Sequence, residues 1–191
     1  MSTSEAWDAR YRSAQRPPEE PDPFLVGSQE SFELLPRRPE DCDALDIACG
    51  AGRHALWLAG LGFRTVGVDR AEAALEIARQ RAAAAGVSID FKAADVEAPG
   101  YELPLGSFDL IAVFYFLHRP LLPALAAAVR PGGLLVYKTF TSERTASGGP
   151  RRPEHLLRPG ELPAAFAQMR VIRYEEDAHA GYAALLAQRL S

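Results

Sequence analysis

Short apolar runs rich in Val, Ile and Leu alternate with longer alanine-rich stretches between residues 44 and 139. This is the pattern of strands and covering helices in a doubly wound sheet. It predicts strands over 44–49, 64–69, 88–93, 108–114 and 133–139, and helices over 53–60, 71–85 and 121–129. The second helix starts directly after Asp69 and stops at Gly86, a residue suited to a C-cap. Such a β-α-β-α succession is α/β, a Rossmann-like open sheet.

The pattern changes after the fifth strand. Residues 141–160 carry Gly148-Gly-Pro150, Arg151-Arg-Pro153 and Arg158-Pro-Gly160, too broken for a regular element. Loops of that length are usually functional or disordered. A short helix is expected over 161–166. Two further strands, over 169–174 and 182–188, flank Gly181 closely enough to pair antiparallel. Ahead of the sheet, 4–13 reads as helix and the proline-stiffened 16–25 as extended chain.

With 191 residues the chain suits a single domain, residues 1–191, with an N-terminal helix and lid over 1–40 and a core over 41–191. Apolar residues make up 48% and charged residues 24%, as in ordinary soluble domains, and the net charge of −4 offers no overall attraction to nucleic acid or an anionic membrane. The N-terminus lacks a basic region followed by an apolar core, and no apolar run approaches the ~20 residues that span a bilayer. A cytoplasmic protein acting on a small molecule, as a monomer or weak homodimer, is the expectation. Cys42 and Cys49 do not suggest a disulfide framework, and His54, His118, His155 and His179 lack the Cys/His spacing of a zinc site. Two lysines against nineteen arginines reflect compositional bias.

Candidate chemistry concentrates in Leu45-Asp46-Ile47-Ala48-Cys49-Gly50-Ala51-Gly52, where a strand runs into a glycine turn and then a helix. Gly50 and Gly52 let the backbone approach a ligand, and the helix start near Arg53 offers unpaired N–H groups. Gly50 to Ala55 also fits the looser G-x-G-x-x-(G/A) dinucleotide pattern, with Asp69 about 20 residues on. A carboxylate at Asp46, at the strand end, suits a cationic cofactor better than a pyrophosphate.

That octapeptide resembles motif I of the class I S-adenosylmethionine-dependent methyltransferases. The resemblance implies a seven-stranded, mostly parallel sheet with an antiparallel C-terminal strand, and S-adenosyl-L-methionine as cofactor. By the same resemblance, Asp46 orders the glycine loop and meets the methionine portion, Ala48 lines the path, Asp69 takes the ribose hydroxyls with Arg70 beside it, and Asp95 with the Val96 N–H meets the adenine. Asp69 also reads as a cap for the helix after it. Trp57 and Leu58 read as core.

The segment Trp7-Asp-Ala-Arg-Tyr-Arg12 resembles the first helix of the thiopurine and tellurite-resistance methyltransferase branch, where it closes over the cofactor. Trp7 and Tyr11 share a helix face, so either pocket wall or simple packing accounts for them. Arg10 or Arg12 is a candidate partner for the cofactor carboxylate. After the fourth strand, Phe114-Tyr-Phe-Leu-His-Arg-Pro-Leu121 resembles a stretch in small tellurite-resistance enzymes. It places Phe114 at the cofactor and His118, Tyr115 and Arg119 as catalytic candidates, with His118 also readable as a cap or wall residue. Arg144, Arg151, Arg152, His155 and Arg158 gather charge that suits an anionic acceptor, if folded over the site.

Methyl transfer to a small soft or anionic nucleophile, such as a thiol or a selenium or tellurium oxyanion, is the leading expectation. The absence of an Asn-Pro-Pro-Tyr-like motif after the fourth strand argues against DNA or glutamine N-methylation. An NAD(P)-dependent oxidoreductase is the first alternative, weakened by the absence of a Tyr-x-x-x-Lys pair. A non-catalytic cofactor-binding module is the second. Lys138 stands before Thr139 and Phe140 at the mouth of the sheet, where the resembling sequences often carry an acid.

Overall fold

A computed structural model describes residues 8, 9, 11, 12, 17–143 and 152–190. Its strands are β1 (Asp43–Ile47), β2 (Arg64–Asp69), β3 (Ile89–Ala93), β4 (Phe108–Phe114), β5 (Val129–Phe140), β6 (Arg170–Asp177) and β7 (Tyr182–Gln188). They form one sheet in the order β3-β2-β1-β4-β5-β7-β6. β1 to β5 pair in parallel; β7 enters antiparallel beside β5, and β6 antiparallel beside β7. The expected Rossmann-like, mostly parallel seven-stranded sheet is the observed one.

The helices are α1 (Pro23–Val26), α2 (Arg53–Gly60), α3 (Glu72–Ala85), α4 (Leu122–Ala128) and α5 (Glu161–Ala165). Gly86 ends α3 in the left-handed conformation that a glycine adopts without strain. Alternation along each strand divides the core between the two faces of the sheet. Leu45, Ile47, Ile111, Val113, Leu135 and Leu185 pack with Leu125, Leu162 and Phe166 on one face. Ala44, Leu110, Ala112, Phe114, Val136 and Leu186 pack with Leu58, Phe24 and Leu25 on the other. Burial on both faces is why these strands read as near-continuous apolar runs.

Residues 8, 9, 11 and 12 are helical, in the span expected for the first helix; the rest of 4–13 lies outside the described residues. The extended reading of 16–25 is corrected at its end. Asp22 accepts the Phe24 N–H at 2.9 Å, and Pro23 starts α1 with its fixed φ and absent N–H at no cost. No helix among the described residues is long and apolar enough to cross a membrane.

Candidate functional site

Parallel strands deliver their carboxyl ends to one edge of the sheet, and ligands of open α/β sheets bind there. β1 ends in Asp46-Ile47 and passes into a turn in which Ala48, Gly50 and Gly52 all have positive φ, at 54°, 53° and 80°. The two glycines act differently. A Cβ on Gly50 would collide with the Tyr11 hydroxyl, so the missing side chain lets Tyr11 approach the turn closely. A Cβ on Gly52 would meet Leu56 at 2.8 Å and Ala78 at 2.9 Å. Gly52 therefore serves close packing of α2 on α3, and its expected approach to a ligand is replaced by that role.

Asp46 is 1% exposed, and its Oδ2 accepts the Ala55 N–H at 3.0 Å. The carboxylate thus closes the first turn of α2 from the neighbouring strand. Its Oδ1 is buried with no partner. Burial pushes the Asp46 carboxyl up to about 8, the Ala55 bond opposes this, and the charge of Asp69 adds to it. A buried acceptor left open is costly unless a donor or cation completes it.

Asp69 ends β2, and both its oxygens are engaged: Oδ2 takes the Gly50 N–H at 2.8 Å and Oδ1 the Ala71 N–H at 2.8 Å. Each retains a second lone pair for a hydroxyl donor. The turn it forms with Ala71 matches the local reading, while the bond to Gly50 locks the glycine turn. Asp95, beyond β3, takes the Glu97 N–H at 3.0 Å and lies 3.6 Å from Arg70, whose guanidinium also pairs with Glu97. Val96 is 6% exposed and belongs to the core.

At the ends of β4 and β5 the structure corrects two expectations. Phe114 stands on the α2 face as a core residue, its ring 4.1 Å from that of His54. Arg119 is committed elsewhere. It binds Glu161 at 2.6 and 3.0 Å and the carbonyls of Glu154 and Leu156 at 2.8 and 2.7 Å. With four donors used, it anchors residues 154–161 to the sheet edge and is not free to act on an acceptor.

Tyr115 has φ 58° and donates its hydroxyl to Asp22. The Arg53 guanidinium lies 5.4 Å from its ring centre, and the Phe140 ring 5.1 Å away. Its phenol is raised well above its ordinary range by burial and by the Asp22 carboxylate. His118 Nδ1 stands 3.8 Å from Glu97 Oε1, and burial lowers its pKa below the usual imidazole value. His118 lines a cavity of about 290 Å³ with Glu97, Leu117, Arg119, Pro120, Glu154 and His155. The larger hollow of about 1160 Å³, bounded by 26–41 and Leu61, lies beside the start of β1, at the opposite edge from the glycine turn.

Tyr11 and the helical turn around it lie over the glycine turn, and Asp8 accepts the Ala73 N–H at 3.0 Å, fastening that turn to α3. Trp7, Arg10, Arg144 and Arg151 lie outside the described residues. Arg12 and Arg158 are exposed, and the Arg152 side chain is 78% exposed, 4.0 Å from Glu154. The described arginines of 141–160 are therefore solvated. Trp57 packs edge-on against Phe32, and Leu58 is fully buried, as expected of core residues.

Sequence reasoning passed over His54, Asp22 and Arg81. His54 is buried with Nε2 unpartnered, and burial, aided by Arg53, lowers it to about 3, so it is neutral. Asp22 carries a readable signal in the Asp22-Pro23 pair, which marks a helix start. Arg81 carries none.

The comparisons agree with this geometry. Residues 44–133 match the family model described as "Methyltransferase domain". Ubiquinone biosynthesis O-methyltransferases are similar in sequence: that of Bordetella avium is 30% identical over 65% of this chain and 59% of its own length. That of Methylocella silvestris is 37% identical over 61% of this chain and 47% of its own length. The chain spans about half the length of these relatives. Among solved structures, one from the conversion of a disulfide bond into a thioacetal group during echinomycin biosynthesis has a TM-score of 0.73 at 24% identity, covering 98% of this chain and 92% of that one. TehB from Haemophilus influenzae has a TM-score of 0.69 at 15% identity, covering 97% and 66%. An S-adenosylmethionine-dependent methyltransferase from Mesorhizobium loti has a TM-score of 0.65 at 20% identity, covering 85% and 97%. The fold is the one these three structures share.

Proposed function

We propose that this chain is an S-adenosylmethionine-dependent methyltransferase acting on a small molecule. The methyltransferase-domain match over residues 44–133 and the shared fold support the enzyme class and the cofactor. The observation that carries the reading is the buried, unpartnered Oδ1 of Asp46 beside a glycine turn that Asp69 holds in place. An acceptor oxygen of that kind fits a cationic methionine moiety and repels a pyrophosphate. The spare lone pairs of Asp69 fit a ribose diol, and Asp95 with the Val96 N–H is assigned to the adenine.

S-adenosylmethionine, when bound, supplies an activated methyl on sulfur. The protein's task is then to orient a nucleophile behind that methyl and exclude water. Orientation alone is worth roughly 7 to 11 kcal/mol of barrier. His118, uncharged at neutral pH, faces the acceptor cavity and accepts a proton when the nucleophile carries one. Tyr115 lines the same end of the sheet.

For the acceptor we infer a soft or anionic nucleophile, such as a thiolate or a selenium or tellurium oxyanion, in line with the tellurite-resistance branch. TehB, over 97% of the chain, and a structure concerned with disulfide-to-thioacetal conversion share this fold. A hydroxyl acceptor is the second reading, favoured by the O-methyltransferase relatives and by a neutral His118.

Thermal shift with S-adenosylmethionine, S-adenosylhomocysteine, NAD and NADP tests the cofactor. A ligand at a hundred times its Kd adds about 2.7 kcal/mol of stability. Stabilisation by S-adenosylmethionine and S-adenosylhomocysteine is expected, and stabilisation by NAD or NADP alone overturns the reading. Methyl-transfer assays over thiol, selenite, tellurite and phenol acceptors then separate the two acceptor classes: turnover of the phenol alone overturns the soft-nucleophile reading.

A further inference from the structure

Residues 17–22 are fastened, at successive points, to elements spread along the carboxyl edge of the sheet. Arg81 on α3 donates to the carbonyls of Pro17 at 2.7 Å and Pro18 at 3.1 Å, and to Ala51 of the glycine turn at 3.2 Å. Arg53, at the start of α2, reaches the Glu20 carbonyl at 3.3 Å. At the far end Asp22 enters the interior, 2% exposed, against the ends of β4 and β5. There it accepts Lys138 Nζ at 2.9 and 3.1 Å and the Tyr115 hydroxyl. The Lys138 ammonium also lies 4.2 Å from the centre of the Tyr182 ring.

Stability does not account for this cluster. Removing a carboxylate and an ammonium from water costs about as much as their attraction returns. Tyr115 adds a left-handed backbone, a conformation that is strained outside glycine. Buried charge and backbone strain thus coincide at one point, where the ends of β4 and β5 meet the segment that crosses the glycine turn.

We propose that Asp22, Lys138 and Tyr115 form a clasp that holds residues 17–22 across the cofactor site and fixes the Tyr115 ring beside Arg53 and Phe140. Asp22 and Lys138 act through Tyr115 and through the strap they fasten, and are positioning residues. Arg81 is the second anchor, joining strap and glycine turn. The clasp rests on the assignment of this edge to S-adenosylmethionine, and it governs how fast the cofactor leaves.

Three variants of the full chain test it: Tyr115→Phe, which removes one hydrogen bond; Arg81→Gln, at the opposite anchor; and Asp22→Asn with Lys138→Met, which removes both charges together. The readouts are S-adenosylhomocysteine dissociation by stopped flow, amide hydrogen exchange at Glu19 and Glu20, and thermal unfolding as a control for folding. Tyr115→Phe and Arg81→Gln are each expected to speed dissociation about tenfold, the equivalent of one hydrogen bond to a charged group. Exchange at Glu19 and Glu20 rises with it, while the unfolding temperature stays close to wild type. If the charge-removed double variant fails to fold, the other two still decide the outcome. Folded variants with unchanged dissociation overturn the clasp, even where exchange rises, because the contacts are then only structural. A wild-type chain that binds no S-adenosylhomocysteine overturns the methyltransferase assignment, and the clasp with it.

Discussion

Asp46 and His54 stand at the start of α2 with opposite titration behaviour. The Asp46 carboxyl is raised from 3.8 to about 8 by burial, so the folded chain holds its proton more tightly than the unfolded one. Its contribution is therefore fully present below the unfolded value and is lost as pH rises towards 8. His54 is lowered from 6.5 to about 3, again by burial, so its contribution is present above 6.5 and is lost as pH falls towards 3. Urea unfolding of the ligand-free chain is thus expected to show maximal stability at mildly acidic pH. Asp46→Asn should flatten the decline between pH 5 and 8; an unchanged decline would assign it to other groups. Proton release follows from the same carboxyl. Binding of a cationic cofactor at pH 7 should expel about one proton, read from calorimetry in buffers of different ionisation enthalpy. Gly50→Ala places a methyl against the Tyr11 hydroxyl at a positive φ. It is expected to weaken cofactor binding at least tenfold, about 1.4 kcal/mol, as measured by titration calorimetry.

Among the elements, the starts of β1, β4 and β5 are tied together by one carboxylate. Asp109 is fully buried and accepts the Asp43 N–H at 2.8 Å, Arg37 at 2.7 Å and Arg130. Asp109→Ala leaves the Asp43 N–H without its acceptor, while the part-exposed Arg37 and Arg130 can turn to water, and a loss of about 1 to 3 kcal/mol is expected in urea unfolding. Because Asp109 lies at the edge opposite the glycine turn, the cofactor Kd of the folded variant should not change. Arg119 works likewise at the other edge, where its pair with Glu161 seats residues 154–161 beside the His118 cavity. The strands β2, β4 and β7 and helix α2 were legible nearly to the residue, since apolar runs and a glycine turn leave little choice of register. α1 was not, because prolines masked a capped helical turn.

For the molecule as a whole, hydrogen exchange should follow sheet order. β2, β1, β4, β5 and β7 each have two strand neighbours, whereas β3 and β6 form the edges. The slowest amides are expected in the five internal strands and the faster ones at β3 and β6; protection highest at an edge would contradict this sheet order. By itself, the sequence determined the alternation of strands and helices, the antiparallel finish and the glycine turn with Asp46 and Asp69. Each of these follows from local conformational preference or from the burial of neighbouring residues. Tertiary structure alone decided which partners those residues meet. Asp22 reaches Lys138 across 116 positions and Arg81 reaches Pro17 across 64. Arg119 is held by Glu161, 42 residues away. Pairings at such separations leave no periodicity in the chain, because they arise only when the crossovers of the sheet bring distant strand ends to one edge.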